Sequence, residues 1–322
     1  MIKSPIKWAG GKTRVMPRLL KHLPKADCLI EPFVGSGTVF MNTEYRHYVL
    51  CDSNLNLINF FRQLTGRPED TISACRWVFS GGNNAEEFYK RRAEFNSLTQ
   101  KADLDPDAAL LHAAYFLYLN RHTYNGLYRE NLKGEFNSPF GKYAAPYFPE
   151  NEMRLFAEKA NDTKAIFHHA DFRDSIPGTM RLAHDVVIYC DPPYIPASKT
   201  ANFTTYGKPF TLDDHRALAE TLLDAHRQYG HRAVISNSDT QETREIYPAF
   251  NLHAFSVRRS VSAKSRDMAG EVIGVLRGDV GCNPGACGAW TSATEHLRPA
   301  AMWIEFDPAA GFDNGEPSDE HA

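Results

Sequence analysis

Short apolar runs alternate with amphipathic segments before residue 66 and again between residues 162 and 277. Runs rich in β-branched and aromatic residues predict buried strands at residues 28–31, 48–51, 164–168, 186–190, 232–236, 251–257 and 271–276. Helices are predicted between them at residues 38–45, 55–64 and 211–229. The last of these begins with a capping box formed by Thr211 and Asp214 and stops at Gly230. This alternation predicts an α/β fold built on a Rossmann-like sheet.

Between residues 66 and 161 the alternation stops. Helices are predicted at residues 86–98 and 107–119, the second with Asp105 before Pro106 at its start. Residues 120–147 form a long loop rich in Asn, Gly, Arg and aromatic residues, and the aromatic residues argue against disorder. We therefore predict an inserted, mainly helical subdomain at residues 66–161, within a larger domain formed by residues 1–65 and 162–277.

The charge is distributed unevenly along the 322 residues, whose net charge is −3. Residues 278–322 contain eight acidic residues and one arginine, so this tail carries −7 and the rest of the chain +4. A mildly basic body suits contacts with phosphates, whereas the Gly-, Pro- and acid-rich tail is predicted to be disordered. No apolar run reaches membrane-spanning length and the N-terminus does not have the pattern of a secretory signal, so a cytoplasmic protein is expected.

Six cysteines occur at positions 28, 51, 75, 190, 282 and 287. None belongs to a Cys-x-x-Cys pair or has a histidine at zinc-binding spacing. We therefore expect buried or free thiols and no metal site.

One carboxylate, two prolines and one aromatic ring follow the strand at residues 186–190, namely Asp191, Pro192, Pro193 and Tyr194. The prolines end the strand, and the carboxyl end of a strand is where an open α/β sheet binds its ligands. Asp191 and the Pro192 carbonyl can accept both N–H bonds of an exocyclic adenine amine, which frees the nitrogen lone pair to attack an electrophilic methyl group. Tyr194 can stack on the base. A plain turn after a strand is the alternative interpretation.

Two glycine-containing segments are candidates for holding a nucleotide-like ligand. Near the N-terminus, Trp8 and Lys12 flank a glycine pair, but Ile6 stands where a P-loop requires glycine, so an NTPase is excluded. After the first strand, the segment Glu31, Pro32, Phe33, Val34, Gly35, Ser36 and Gly37 leads into a predicted helix. A dinucleotide fingerprint needs a third glycine where Phe40 stands, which disfavours NAD or FAD.

Acidic residues follow two further strands. Asp52 ends the second strand and is placed to accept hydrogen bonds from ribose hydroxyls, although it can also cap the next helix. Asp171 and Phe172 follow the strand at residues 164–168 and can clamp an adenine ring. Residues 199–208 are a candidate lid over the site, and the basic residues 258–266 suit DNA phosphates.

The long loop supplies guanidinium groups, amides and rings of the kind that read base edges and fill gaps in a base stack. These residues are Arg121, Tyr124, Asn125, Arg129, Asn131, Lys133, Asn137 and Lys142. A folded structural loop explains the same composition equally well.

Four segments in this order resemble the DNA adenine methylase (Dam) family, over residues 2–277. They are Lys7 to Lys12, Glu31 to Gly37, Asn120 to Gly141 and Asp191 to Tyr194. The third is similar to the target-recognition hairpin of Dam enzymes, which methylate adenine in GATC. Two features depart from the family: Asp267 to Gly270 stand where a more basic stretch is usual, and the acidic tail has no counterpart.

The resemblance implies an S-adenosylmethionine-dependent methyltransferase sheet with an inserted target-recognition subdomain. It implies a site-specific adenine N6-methyltransferase that flips its base out of double-stranded DNA, without a metal or an obligate protein partner. Trp8, Lys12, Asp52 and Asp191 would contact the cofactor, and the implied DNA contacts are Lys7, Tyr124, Asn125, Leu127, Arg129, Pro139 and Lys142. Two alternatives remain: an RNA or protein amino-methyltransferase, and a DNA-binding regulator without catalysis.

Overall fold

The computed structural model describes residues 1–99, 105–183, 185–196, 209–258 and 268–278. Within these ranges seven strands form one sheet. They are β1 Cys28–Glu31, β2 His47–Asp52, β3 Ile166–His169, β4 Val186–Cys190, β5 Arg232–Ser238, β6 Phe250–Arg258 and β7 Met268–Leu276. The order across the sheet is β3-β2-β1-β4-β5-β7-β6. The first five strands are parallel, and β7 runs antiparallel between β5 and β6.

The central strands are buried on both faces because helices cover the sheet from both sides. All residues of β1 and β4 are buried. Side chains alternate along them: Val187 and Tyr189 join one hydrophobic cluster, and Val186, Ile188 and Cys190 join another. The continuous apolar runs in the sequence therefore correctly predicted buried parallel strands.

Ten α-helices lie in the described residues. They are α1 Met16–Leu19, α2 Thr38–Met41, α3 Leu55–Gly66, α4 Pro68–Ser80, α5 Ala85–Leu98, α6 Pro106–His122, α7 Glu150–Asp162, α8 Phe172–Thr179, α9 Leu212–Tyr229 and α10 Gln241–Ile246. Asp105 caps α6 by accepting from the Asp107 and Ala108 amides. The capping box of Thr211 and Asp214 begins α9, and Gly230, with a φ of 70°, ends it. These caps were predicted from the sequence and are confirmed.

The structure differs from the sequence predictions at several helices. The helix α2 ends at Met41, shorter than the predicted segment, and α6 continues three residues beyond its predicted end. Five helices were not predicted: α1, α4, α7, α8 and α10. The helix α8 contains Pro177, which normally disfavours a helix interior, and burial of Ile176 and Thr179 holds it in place.

The inserted residues share a hydrophobic core with one face of the sheet. Phe156 of α7 stacks on Phe61 of α3 with ring centroids 4.7 Å apart, and its ring lies 5.1 Å from that of Phe40. A single buried cluster contains side chains of β1, β2, β4 and β5 together with side chains of α3 to α7. The described residues accordingly fall within one compact unit.

Some sequence predictions lie outside the described residues: the lid at 199–208, the basic residues 259–266, the tail from residue 279, and Cys282 and Cys287. The four described cysteines are buried and free, as expected. In the part of the chain that the structure describes, no helix is both long enough and apolar enough to cross a membrane.

Candidate active site

The crevice between the carboxyl ends of β1 and β4 collects most of the predicted chemistry. These strands are neighbours in register, with Leu29 beside Val187. From β1 the chain continues to β2 on one side, whereas from β4 it continues to β5 on the other. Such a reversal of strand order opens a ligand-binding crevice. It brings the residues from Glu31 to Gly37, which follow β1, next to Asp191, which follows β4.

Asp191 forms a close ion pair with Lys12 in this crevice. The Lys12 ammonium lies 2.5 Å from Asp191 Oδ2, donates to the Gly10 carbonyl at 2.7 Å, and sits 4.9 Å from the centre of the Tyr194 ring. Lys12 is buried, so little water screens the pair. Among the described residues, Asp191 Oδ1 has no hydrogen-bond partner. One carboxylate oxygen is thus anchored and the other is available to accept.

Two buried carboxyl groups share the crevice and differ in their partners. Burial raises the pKa of Asp191, and the Lys12 ammonium pulls it back down. Burial, and then the neighbouring Asp191, raise the pKa of Glu31 well above its usual value. Because Lys12 is paired with Asp191, Asp191 is the better candidate for the ionised group of the two.

The turn that carries Tyr194 is fixed by residues that the sequence analysis did not single out. Asn237, fully buried at the end of β5, accepts from the Ile195 amide at 3.0 Å and from the Ser238 amide at 2.8 Å. The Tyr194 hydroxyl donates to Glu271 of β7 at 3.5 Å. One sequence signal was available, because the apolar β5 ends in the polar residues Ser236, Asn237 and Ser238 at the ligand-binding edge.

On the β1 side, Asp52 and Gly35 are joined directly. Asp52 accepts from the Gly35 amide through Oδ2 and from the Asn54 amide through Oδ1, both at 3.0 Å. Burial raises the pKa of Asp52 to about 6, although these backbone hydrogen bonds oppose the shift. Gly35 has a φ of 49°, and a Cβ there would lie 3.1 Å from the Trp8 ring. Glycine thus permits the indole to lie directly against this turn.

Aromatic side chains close the same side of the crevice. Phe33, Phe172 and Phe210 form a triangle with ring centroids 5.7 to 5.8 Å apart. Asp171 caps α8 by accepting from the Arg173 amide at 3.0 Å, which places Phe172 at the start of that helix. Pro32 is buried beside Phe33, and Gly37, with a φ of 70°, begins α2 against the Phe156 ring.

The predicted DNA-contacting residues lie mainly on one irregular hairpin. We define the recognition hairpin as residues 124–142. Of the predicted contacts within it, Leu127, Asn131 and Asn137 are half-buried, and the exposed ones are Tyr124, Asn125, Arg129, Lys133, Pro139 and Lys142. It abuts the N-terminal segment at Gly126, where a Cβ would lie 2.4 Å from Lys7 Cβ. Just before the hairpin, Asn120 of α6 bonds the backbone amide of Lys7 at 2.9 Å and its carbonyl at 2.6 Å. The Lys7 ammonium lies 4.4 Å from the centre of the Tyr143 ring.

Arg121 is the exception among these residues. Its side chain is buried and donates through Nε to the Pro5 carbonyl at 3.1 Å, with Nη2 bonded to the same oxygen. Burial lowers its pKa to about 10. The prediction placed Arg121 in a loop, whereas it belongs to α6 and faces inwards. It therefore supports the N-terminal segment and does not project from the hairpin.

The strand order, with its antiparallel β7, and the carboxylate at the β1–β4 crevice define an S-adenosylmethionine-dependent methyltransferase fold. A family model of D12 class N6 adenine-specific DNA methyltransferases matches residues 8–261. The chain belongs to this family and is a DNA adenine methyltransferase. Among the described residues, no group of three or more His, Cys, Asp or Glu side chains is placed to hold a metal ion.

Similar proteins are known from several bacteria. The DNA adenine methylase of Serratia marcescens is 42% identical over 276 residues, which cover 84% of this chain and 97% of that protein. The DNA adenine methylase of Escherichia coli K12 is 46% identical over 264 residues, covering 80% and 88%. That of Vibrio cholerae O395 is 44% identical over 259 residues, covering 80% and 89%. The similarity thus spans nearly the whole length of each relative.

Proposed function

We propose that the protein transfers a methyl group from S-adenosylmethionine directly to N6 of an adenine that has been flipped out of double-stranded DNA, within GATC. The observation that carries this proposal is the Asp191 carboxylate. One of its oxygens is paired with Lys12, and the other is buried without a partner among the described residues, at the end of β4. A buried acceptor of this kind requires a donor, and an adenine amine supplies one.

The residues of the crevice suit S-adenosylmethionine. Asp52 offers a carboxylate to the ribose hydroxyls. Phe33 and Phe210, backed by the buried Phe172, offer a wall for the adenine ring, and the Trp8 indole lies against Gly35 on the same side. The Lys12 ammonium offers a positive charge to the carboxylate of the methionine part of the cofactor. The cofactor, when bound, supplies an electrophilic methyl group.

The target amine is activated by hydrogen bonding in this proposal. Asp191 Oδ1 and the Pro192 carbonyl accept its two N–H bonds, so that the nitrogen lone pair no longer delocalises into the ring. The Tyr194 ring stacks on the base and holds it in place. As the new N–C bond forms, the methyl–sulfur bond of the cofactor would break and S-adenosylhomocysteine would leave. One N–H proton is released from the amine, and the Asp191 carboxylate is placed to receive it.

The relatives are named DNA adenine methylases, which supports adenine in DNA as the target. The GATC sequence is supported by the resemblance of the recognition hairpin to that of Dam enzymes. Arg129 is exposed on this hairpin. A guanidinium can donate two hydrogen bonds to guanine O6 and N7, which discriminates by about 1–3 kcal/mol against another base.

Plasmid DNA from a host that lacks adenine methylation tests the proposal. After incubation with enzyme and S-adenosylmethionine, the plasmid is digested with two nucleases that cut GATC, one only when the adenine is methylated and the other only when it is not. We expect cleavage by the first and protection from the second. Cleavage by the second nuclease and none by the first would contradict the proposed target.

Two variants locate the chemistry. Asp191→Ala should abolish methylation while the protein still folds and binds the duplex. Asp185→Ala is the matched control, because Asp185 precedes the same strand at its opposite end and pairs with the exposed Arg232. It should methylate normally. An active Asp191→Ala protein would remove the mechanism and leave the family assignment intact.

A further inference from the structure

The recognition hairpin has few backbone hydrogen bonds of its own. Its arms meet at the Glu130–Phe136 bridge, where the Asn137 amide donates to the Arg129 carbonyl at 2.8 Å and the Asn131 amide donates to the Glu135 carbonyl at 2.9 Å. A two-stranded hairpin of this size is marginally stable by itself in water. Its shape must therefore be maintained by contacts with the rest of the protein.

The helix α5 supplies such contacts through Asn96. The Asn96 amide nitrogen donates to the Phe136 carbonyl at 3.1 Å, and its oxygen accepts from the Phe136 amide at 2.9 Å. One side chain thus satisfies both backbone polar groups of a single residue, as a neighbouring strand would. The Phe136 ring is buried, with its centroid 5.9 Å from that of Phe95 and 5.3 Å from that of Tyr128.

One turn earlier on the same face of α5, Arg92 also bonds the backbone of this hairpin arm. Its guanidinium donates to the carbonyls of Asn137 and Ser138 at 3.4 and 3.2 Å. Three consecutive backbone positions of the hairpin, from Phe136 to Ser138, are therefore bound to two side chains of one helix. This arm cannot shift without breaking those bonds.

The fixed arm in turn orients Arg129. Asn137 accepts from Arg129 Nε through its side-chain oxygen at 2.7 Å and from Nη2 through its main-chain oxygen at 3.4 Å. Arg129 is exposed, and a long exposed side chain without such bonds samples many rotamers. The position of Asn137 therefore determines the direction in which the guanidinium points.

We propose that Asn96 is a positioning residue for sequence recognition: it fixes Phe136 and Asn137, and through them Arg129, without contacting DNA. The inference rests on the proposed function, in which Arg129 reads a guanine. Pre-orienting Arg129 reduces the entropy lost when it binds the correct base, and that advantage is specific to the correct sequence.

The test compares kcat/KM on a GATC duplex with kcat/KM on a duplex in which one flanking guanine is replaced. Asn96→Leu removes both hydrogen bonds at similar volume, and Asn96→Asp retains only the acceptor. We expect the ratio of the two rates to fall about fivefold to tenfold in Asn96→Leu, as a lost hydrogen bond of ordinary strength implies, and by less in Asn96→Asp. The added negative charge of the aspartate weakens binding to both duplexes alike, so its effect cancels in the ratio of the two kcat/KM values.

A double-mutant cycle separates positioning from general stability. If Asn96 acts through Arg129, then Asn96→Leu should leave the ratio unchanged in an Arg129→Ala background. Asn161→Leu is the matched control, because the Asn161 amide of α7 donates to the Thr65 carbonyl at 3.2 Å and not to the hairpin. It should lower the melting temperature without changing the ratio.

The outcomes distinguish the two proposals. An unchanged ratio in folded Asn96→Leu, or an equal fall with and without Arg129, would overturn the positioning role. If Asn96→Leu does not fold, Asn96→Asp decides by the same criteria. If Arg129→Ala by itself leaves the ratio of the two kcat/KM values unchanged, Arg129 does not read the guanine. That result would contradict the proposed function and is independent of the Asn96 variants.

Discussion

At the level of single residues, Lys12 determines the charge state of Asp191. Burial alone raises the pKa of the Asp191 carboxyl, and Lys12 is the main group that lowers it. The ionised carboxylate can pair with Lys12 and receive the proton of the amine, whereas the protonated carboxyl cannot receive that proton. The reaction rate should therefore fall as the pH decreases through the pKa of Asp191.

Replacing Lys12 should shift this acid limb to higher pH. In Lys12→Gln the compensating cation is lost, so the pKa of Asp191 rises further above its usual value. The pH dependence of single-turnover methylation, at saturating cofactor and DNA, measures the shift. Lys21→Gln, on the exposed surface, is the control. An acid limb at the same pH in both variants would mean that Asp191 is not the titrating group.

Asn237 should affect turnover more than DNA binding. Its side chain holds the Ile195 amide and thus the peptide that follows Tyr194. We expect Asn237→Leu to lower kcat about tenfold or more, since small displacements of catalytic groups are costly, with little change in KM for DNA. Steady-state kinetics measures both constants. Asn161→Leu removes a side-chain bond to the Thr65 carbonyl elsewhere and serves as the control. A larger effect on KM than on kcat would reassign Asn237 to DNA binding.

At the level of elements, the contact between the N-terminal segment and the recognition hairpin depends on Gly126. Its φ is 69°, and a Cβ at this position would lie 2.4 Å from Lys7 Cβ and 2.6 Å from the Lys7 carbonyl oxygen. No side chain fits there unless the two segments separate. Gly134, at the tip of the hairpin, has a similar φ of 77°, but a Cβ there would have no described atom within 4 Å.

These two glycines make a matched pair for substitution. Gly126→Ala should push the hairpin away from Lys7 and lower affinity for a GATC duplex about tenfold, whereas Gly134→Ala should cost only the backbone strain of about 1 kcal/mol. Fluorescence anisotropy with labelled DNA and thermal unfolding measure the two effects. Equal affinities in the two variants would show that this contact does not shape the DNA-binding surface.

Among the elements, the best predicted were those with strong local signals. The helix α9 has a capping box and a terminal glycine, and the strands β1 and β4 are continuous apolar runs. The helix α4 had signals that were not used, namely Pro68 at its first turn followed by Glu69 and Asp70. The helix α8 had one local signal, the N-cap Asp171, but Pro177 opposes the helix and packing of the buried Ile176 and Thr179 is needed to hold it.

At the level of the whole molecule, the shared core should make the protein unfold as one unit. Side chains of the sheet and of the helices α3 to α7 belong to one buried cluster, so neither part keeps its apolar surface covered without the other. We expect a single thermal transition that coincides by circular dichroism and tryptophan fluorescence. Residues 66–161 expressed alone should lack the near-ultraviolet circular dichroism signal that aromatic side chains give when they are packed in a fixed arrangement. Two separate transitions would instead support an independently folded recognition domain.

The sequence by itself determined the chemistry that follows each strand. Asp191 to Tyr194, the turn from Glu31 to Gly37, and Asp52 are each local arrangements, in which a strand ends and specific atoms follow within a few residues. A parallel sheet places such ends at one edge whatever the rest of the chain does. For this reason the crevice and the residues that line it could be predicted before the strand order was known.

Only the tertiary structure decided which distant side chains meet. Asn237 bonds a residue 42 positions away, and Asn96 bonds one 40 positions away. No local pattern encodes such pairs, because they arise when separate elements pack together. Arg121 shows the same limit: three more residues of α6 turned a predicted DNA contact into a buried support for Pro5. Local sequence specifies which groups are available, and packing decides which are exposed to a ligand and which are used to hold the fold.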